Sequence, residues 1–218
     1  MGLAQRLKIE TAQTHEAMHV LMGALAPFSD RERYVRFVAA QYLFQERVRQ
    51  VADQPQVRAW ISDLDHRGRT DAARADLDDL SEQLGSQMHG ELEPLAHASA
   101  HAPVPDAAHG LGWLYVSEGS TLGAAFLFKA AQQELGLSET FGARNLAAAP
   151  EGRMKAWRAF VSELDAAGLS PGQADRAVEG AHAAFDFFEQ TLRCMFHDLP
   201  LPAPTGAGVL QDVPSQAR

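Results

Sequence analysis

Residues 114–129, LYVSEGSTLGAAFLFK, contain the pattern on which the prediction of the fold depends. Its apolar residues recur at helical spacing, yet it contains Gly119 and Gly123, and a glycine inside a helix costs roughly 1 kcal/mol relative to alanine. Residues four apart share one face of a helix, so the two glycines leave bare backbone on the same side. On spacing alone, this favours close helix–helix packing. The alternative is a bent helix whose backbone lies against a flat ligand.

Hydroxyl side chains surround these glycines. Ser117, Ser120 and Thr121 can each bond a backbone carbonyl in the preceding turn and bend the helix axis. They are compatible with the bent helix that is the alternative to close packing, in a helical pattern that is interrupted at Gly119 and Gly123.

Helical periodicity extends over most of the chain, and no strand-like alternation competes with it. A first apolar stripe runs from Leu7 to Leu25 and stops before Pro27. Later helices are marked by a capping box of Ser29 and Glu32, a cap at Thr70 with an end at Gly85, a span from Asp106 to Gly136, and the cap group Ser170, Pro171 and Gln173. The sequence predicts one all-α domain over residues 1–197, with a surface connection over 85–105 and a mobile, proline-rich tail over 198–218.

Composition limits the classes of function. The 218 residues are 46% hydrophobic and 22% charged, as in a globular domain, and the net charge of −9 argues against a general nucleic-acid binder. A single cysteine, Cys194, excludes an intrachain disulfide. The chain starts without the apolar run of a signal peptide and contains no run long enough to span a membrane. We expect a cytoplasmic protein with no membrane contact, and a monomer, since nothing in the sequence indicates an obligate dimer.

One histidine of the first helix has surroundings that suit a metal ligand. His15 lies seven residues after Lys8 and seven before Met22, so the three side chains share a face to within about 20°. A neutral imidazole beside an apolar stripe, with a cation two turns away, suits an iron-bearing ring with acidic edge groups. The alternative is a hydrogen-bonded core histidine and a surface lysine.

Two amides interrupt the apolar stripe of the second helix. Gln41 and Gln45 lie one turn apart, and buried amides need partners or ordered water. They indicate either structural bonds between helices or a water network that lines a polar cavity.

Two other kinds of site are compatible with parts of the sequence. Glu16 with His19, and Glu179 with His182, have the Glu-x-x-His spacing of di-iron bundle sites, for which Glu46 and Glu118 would complete the ligands. A thiamin-pyrimidine hydrolase on a similar scaffold would need a cysteine nucleophile in its cavity, and Cys194, near the end of the last helix, is poorly placed for that.

Taken together, four passages make the chain resemble the bacterial heme oxygenases of the iron-acquisition, biliverdin-producing type. They are PFSDRERYVRFVAAQYLFQ (27–45), TDAARADL (70–77), LGWLYVSEGSTLGAAFLFKAA (111–131) and FGARNL (141–146), followed by the Phe185–Phe188 helix. The resemblance extends from about residue 8 to residue 196 and stops before the tail.

The resemblance implies a single helical domain that holds heme b between a proximal first helix and a kinked distal helix. His15 matches the iron ligand, and Gly119 and Gly123 match the distal glycines that leave room for O2. The other matching positions are Gln41, Gln45 and Arg69 for the distal water network, Lys8 and Tyr115 for the heme propionates, and Ser120, Phe185 and Phe188 for further heme contacts.

The activity implied is cleavage of heme, as both substrate and cofactor, to biliverdin, CO and ferrous iron. It needs O2 and an external electron donor of the ferredoxin or flavin reductase type. The α isomer is expected because Lys8 and Tyr115 match relatives with conventional heme seating, whereas Gly23 and Ala130 stand where relatives with a rotated heme have lysines. An alternative is a heme-binding or storage module without turnover.

One departure concerns the proximal side. Many relatives have a glutamate four residues after the ligand, where it can accept the imidazole N–H, and this chain has His19 there. A neutral His19 could accept the same bond but would polarise His15 less than a carboxylate, so we expect a slightly weaker donor ligand. The alternative is that Glu16 or a water molecule accepts the bond.

Overall fold

The structure is a computed structural model that describes residues 1–81, 90, 92, 94–99 and 101–199. Its helices are α1 (Leu3–Glu10), α2 (Ala12–Leu25), α3 (Arg31–Ala52), α4 (Pro55–Trp60), α5 (Leu64–Arg67), α6 (Thr70–Asp79), α7 (Ala107–Leu135), α8 (Arg153–Ala166), α9 (Pro171–Met195) and a 3-10 helix (Arg144–Leu146). These segments contain no β-strand beyond isolated bridges at Ser138. The all-α prediction is confirmed.

Several local signals act at the residues where they were expected. Ser170 and Gln173 form a capping box at the start of α9, with Pro171 at its first position. Gly136 ends α7 in the left-handed conformation, with φ of 68°.

Two predicted caps are shifted by one residue. The cap of α3 is Asp30 rather than Ser29, because the Asp30 side chain accepts the backbone N–H of Arg33 at 2.8 Å. Thr70 is the first residue of α6 rather than its cap, since its hydroxyl donates to the carbonyl of Gln45 at 3.1 Å. Thr70 therefore joins α6 to α3.

The predicted first helix is divided in two at Thr11. The Thr11 hydroxyl donates to the carbonyl of Leu7 at 2.8 Å, a bond that often bends helices, and the chain leaves regular helix there. Lys8 and His15 therefore belong to different helices, and the common face derived from one ideal helix does not hold between them.

Part of the predicted surface connection is helical. Residues 90, 92, 94–99 and 101 have helical conformation, so the segment 85–105 contains more helix than the sequence indicated. The expected helix end at Gly85 and residues 200–218 of the expected tail lie outside the described residues.

Helix α9 positions the elements that carry the candidate site. It packs along α7 in the most extensive helix pair and also contacts α1, α2 and α3. The approach of α7 to α9 is closest at Gly112 and Gly180, where a Cβ atom would overlap the carbonyl oxygens of Ala177 and His109 respectively. The described helices include none that is both long enough and apolar enough to cross a membrane.

Candidate functional site

His15 lies on α2 with an exposed side chain, which contradicts the alternative of a buried core histidine. Its ring centroid is 4.3 Å from that of His19 and 6.2 Å from that of Phe185, whose ring is nearly perpendicular to it. Although the ring is open to solvent, the protein packed behind it disfavours the charged form and lowers the pKa of His15, and His19 lowers it further. The neutral form, which can bind a metal, is thus favoured.

Helix α9 supports α2 beside this ring. The hydroxyl of Thr14, the residue directly before His15, lies 3.1 Å from Nδ1 of His182 on α9. Phe185 is buried, and Phe188 makes an edge contact with Phe44 at 5.4 Å between centroids. Phe185 thus lies one turn after His182 on α9 and contacts His15, whereas Phe188 packs against α3.

The glycine pair on α7 is not a helix-packing site, so the interpretation favoured by spacing is wrong. Among the described residues, a Cβ atom at Gly123 would have no neighbour within 4 Å, and one at Gly119 would make only ordinary contact with Trp157 at 3.7 Å. Helix α7 is also continuous through both positions, in contrast to the expected interruption. Gly123 therefore presents bare backbone to open space.

Two of the three hydroxyls beside the glycines bond the preceding turn as predicted, whereas that of Ser117 accepts from Gln45. Ser120 donates to the carbonyl of Ser117, and Thr121 donates to the carbonyl of Glu118, both at 2.6 Å. Ser120 itself is exposed.

The two residues expected at the propionates lie on different elements. Lys8 is exposed on α1. Tyr115 is half-buried on α7 against the ring of Trp157, 5.6 Å between centroids, and burial raises the pKa of Tyr115 to about 12. Its hydroxyl is therefore a neutral hydrogen-bond donor at neutral pH.

Gln41 and Arg69 meet at a residue that the sequence analysis did not select, Asn145 of the 3-10 helix. The Asn145 side-chain amide donates to Oε1 of Gln41 at 2.6 Å. Arg69 donates from Nη1 to the carbonyls of Asn145 and Ala147 at 2.9 and 3.0 Å. The passage FGARNL contains Asn145, but a lone asparagine has no periodic signal that would indicate its role.

Gln45 faces a different neighbour. It is buried and donates to the Ser117 hydroxyl at 3.4 Å, which joins α3 to α7. Both glutamines thus form hydrogen bonds to other helices, which is one of the two interpretations of the sequence. The other, that they order water, stays a prediction.

A cavity of about 230 Å³ lies beside Gln45, between α3, α5, α6 and α7. Ser117, Glu118, Arg67 and Thr70 also line it, whereas neither His15 nor the two glycines do. This cavity is therefore separate from His15 and from the glycine pair.

A buried ion pair closes one side of the cavity. Nη1 of Arg67 and Oε2 of Glu118 are 2.8 Å apart, and the two side chains are 11% and 9% exposed. Burial raises the pKa of Glu118, although Arg67 and Arg69 oppose the rise.

The di-iron alternative is wrong. Its four acidic candidates do not converge, since Glu118 pairs with Arg67, Glu46 with Arg49 and Glu179 with Arg176, and Glu16 is exposed. In the described part of the chain, no three His, Cys, Asp or Glu side chains lie close enough together to hold a metal ion.

The buried carboxyl leads to a prediction on pH dependence. Because the folded pKa of Glu118 lies above the ordinary value of 4.5, the folded protein holds a proton that the unfolded chain releases. Wild-type stability should therefore fall relative to Glu118→Gln as the pH rises above 4.5, with a slope of at most about 1.4 kcal/mol per pH unit, and the fall should end once the raised pKa is passed. Urea unfolding of both proteins between about pH 4.5 and 8 measures this difference.

Glu134→Gln, the same substitution at an exposed position of the same helix, is the matched control. A constant difference between wild type and Glu118→Gln, or one with the opposite slope, would contradict the raised pKa.

Comparison with known proteins gives a consistent result. The family model described as Heme oxygenase matches residues 1–194. The chain is 40% identical over 193 residues to heme oxygenase PigA of Pseudomonas aeruginosa, covering 88% of this chain and 92% of that protein.

Solved structures show the same similarity. The NO- and CO-bound heme oxygenase from Neisseria meningitidis is 34% identical, with a TM-score of 0.79 over 94% of this chain and 98% of its own. Heme oxygenase-1 from Synechocystis, in complex with heme, matches with a TM-score of 0.65 over 89% of this chain and 92% of its own. At 16% identity, the latter likeness concerns the fold alone.

Proposed function

Because the chain belongs to the heme oxygenase family, it is a heme-degrading enzyme, and we propose that it converts heme b to biliverdin, CO and ferrous iron. O2 is the second substrate, and the electrons come from a separate donor of the ferredoxin or flavin reductase type. The observation that carries the proposal is the exposed imidazole of His15, whose pKa is lowered and which lies beside the ring of Phe185 on α9.

Three features of the residues proposed to hold heme fit that group. A neutral imidazole can coordinate the iron. Phe185 and Phe188 offer apolar rings to a flat macrocycle. Gly123 has no atom within 4 Å of where its Cβ would lie, so its backbone leaves room on the side of α7.

When bound, heme supplies the iron that activates O2 and the ring carbon that is oxidised. The chain's own residues bind and orient the heme and the water near it. His15 holds the substrate through its imidazole, and Gly119 and Gly123 keep bulky side chains away from the distal side. Ser120, exposed beside them, is proposed to contact the heme.

Neither Gln41 nor Gln45 can act as an acid, since an amide does not give up a proton near neutral pH. Their role in the proposal is to orient water, which transfers protons to the reacting oxygen. Arg69 already donates to the carbonyls of Asn145 and Ala147, so it supports this cluster through the backbone.

Product identity follows from how the propionates are seated. Lys8 can pair with one carboxylate, and the hydroxyl of Tyr115 can donate to another. Gly23 and Ala130 cannot form such pairs, which supports the α isomer of biliverdin as the main product.

The test is turnover of the reconstituted protein, followed by separation of the products. Ferric heme bound to the chain should lose its Soret band when reductant and air are added, and chromatography should show mainly α-biliverdin. The same sample without reductant is the control. A stable oxygen-bound spectrum without bilin would favour the storage alternative, and mostly β or δ isomer would contradict the proposed seating.

A further inference from the structure

Asn145 holds a central position in the cluster that contains Gln41 and Arg69. It is 5% exposed and is the only asparagine in the sequence. Its Oδ1 atom is buried and has no hydrogen-bond partner among the residues that the structure describes, whereas its Nδ2 atom donates to Gln41 at 2.6 Å. A buried acceptor without a protein partner is a site for an ordered water molecule.

The backbone of Asn145 is fixed from two sides. Asp76, which is fully buried, accepts the backbone N–H groups of Arg144 and Asn145 at 2.9 and 2.8 Å. Arg69 donates to the Asn145 carbonyl from the other side at 2.9 Å. The backbone that carries the Asn145 side chain is therefore held rigidly, and the direction of the side-chain amide is fixed before any ligand binds.

This rigid amide determines which end of the Gln41 side chain is free. A glutamine amide has an accepting oxygen and a donating nitrogen. Since Nδ2 of Asn145 donates to the side-chain oxygen of Gln41, the two N–H donors of Gln41 remain for other partners. Gln41 is only half-buried, so these donors can be reached. Without Asn145, the amide of Gln41 could rotate and present its oxygen instead.

We propose that Asn145 is a positioning residue for the distal side, which orients the Gln41 amide as a donor and holds an ordered water molecule at its own Oδ1. The inference rests on the proposed function and names a residue that acts through Gln41 rather than on heme. It also gives Arg69 and Asp76 a role, since they fix the turn that carries Asn145.

The contact can be tested in the heme-free protein. Selective labelling with ¹⁵N-asparagine should give one side-chain NH₂ pair, because the chain contains one asparagine. We expect this pair to exchange slowly with solvent and to shift when Gln41→Ala removes its acceptor. Fast exchange and unchanged resonances in Gln41→Ala would overturn the proposal without any reference to turnover.

The functional consequence is tested with Asn145→Asp, which has nearly the same shape but cannot donate. The Gln41 amide must then turn its nitrogen toward position 145, so kcat should fall about tenfold, equivalent to about 1.4 kcal/mol, while heme affinity stays within about twofold. Gln132→Glu, an amide-to-carboxylate change at an exposed position of α7, is the control.

An unchanged kcat in Asn145→Asp would overturn the proposed orientation, because the reverse arrangement, with Gln41 donating to Oδ1, would tolerate aspartate. If Asn145→Asp fails to fold, Asn145→Ser and the NMR experiment decide the question. Absence of turnover in the wild-type protein would instead contradict the proposed function, and the heme-free measurement would still report on Asn145.

Discussion

Replacing His15 by alanine is expected to abolish histidine ligation of the heme iron and to lower heme turnover by at least about a hundredfold, or about 2.7 kcal/mol. The reason is chemical, since alanine has no atom that can coordinate iron. Apolar contacts such as those of Phe185 would remain, so weaker heme binding should persist. Absorption spectra of the ferric complex, with and without imidazole added to the solution, measure the effect, and added imidazole should restore the wild-type spectrum.

His19→Ala is the matched control because the two rings are only 4.3 Å apart. It should keep the histidine-ligated spectrum, since the ring that contacts Phe185 is that of His15. The opposite outcome, a wild-type spectrum in His15→Ala and its loss in His19→Ala, would move the ligand to His19.

The sequence predicted the parts of the fold that depend on neighbours along the chain. The capping box of Ser170 and Gln173 and the left-handed Gly136 are determined within one helical turn, and both act where they were expected. Even so, local alternatives compete closely. Asp30 replaces the adjacent Ser29 as a cap, because either side chain could accept the same type of N–H bond.

The sequence could not predict which glycines allow close helix packing. Gly119 and Gly123 have the regular spacing, yet the contacts that require glycine are at Gly112 and Gly180. Spacing describes one helix, whereas contact depends on which element lies opposite. The missed pair is also split between α7 and α9, so no single segment contains its pattern.

The polar cluster shows the same limit for the site. Gln41 stood out because it interrupts an apolar stripe, but its partner Asn145 is about a hundred residues away in a short 3-10 helix. Periodicity does not extend across such a distance, and a single asparagine in a loop usually indicates a turn. The break at Thr11 is a further case, because a threonine bonded to the preceding turn is compatible with an unbroken helical pattern.

Gly180→Ala is expected to destabilise the fold by about 3 kcal/mol, the upper end of the usual cost of overpacking. A Cβ atom at this position would overlap the carbonyl oxygen of His109, well inside van der Waals contact. A backbone carbonyl in α7 cannot rotate away as a flexible side chain can, so α7 and α9 must separate and lose apolar contacts along their interface. The midpoint of urea unfolding, at unchanged m-value, measures the loss.

Gly172→Ala, on the same helix, tests whether the effect comes from the contact or from glycine itself. Its Cβ would have no atom of the described residues within 4 Å, so the substitution should be neutral or stabilising by up to about 1 kcal/mol.

Gly112→Ala should resemble Gly180→Ala, since its Cβ would overlap the carbonyl oxygen of Ala177 across the same interface. The variant that carries both Gly112→Ala and Gly180→Ala should lose less free energy of unfolding than the sum of the two single losses, because the first substitution already moves the helices apart. A Gly180→Ala protein within about 0.5 kcal/mol of wild type would show that the interface can yield, and α7 would then not be held on α9 by backbone contact.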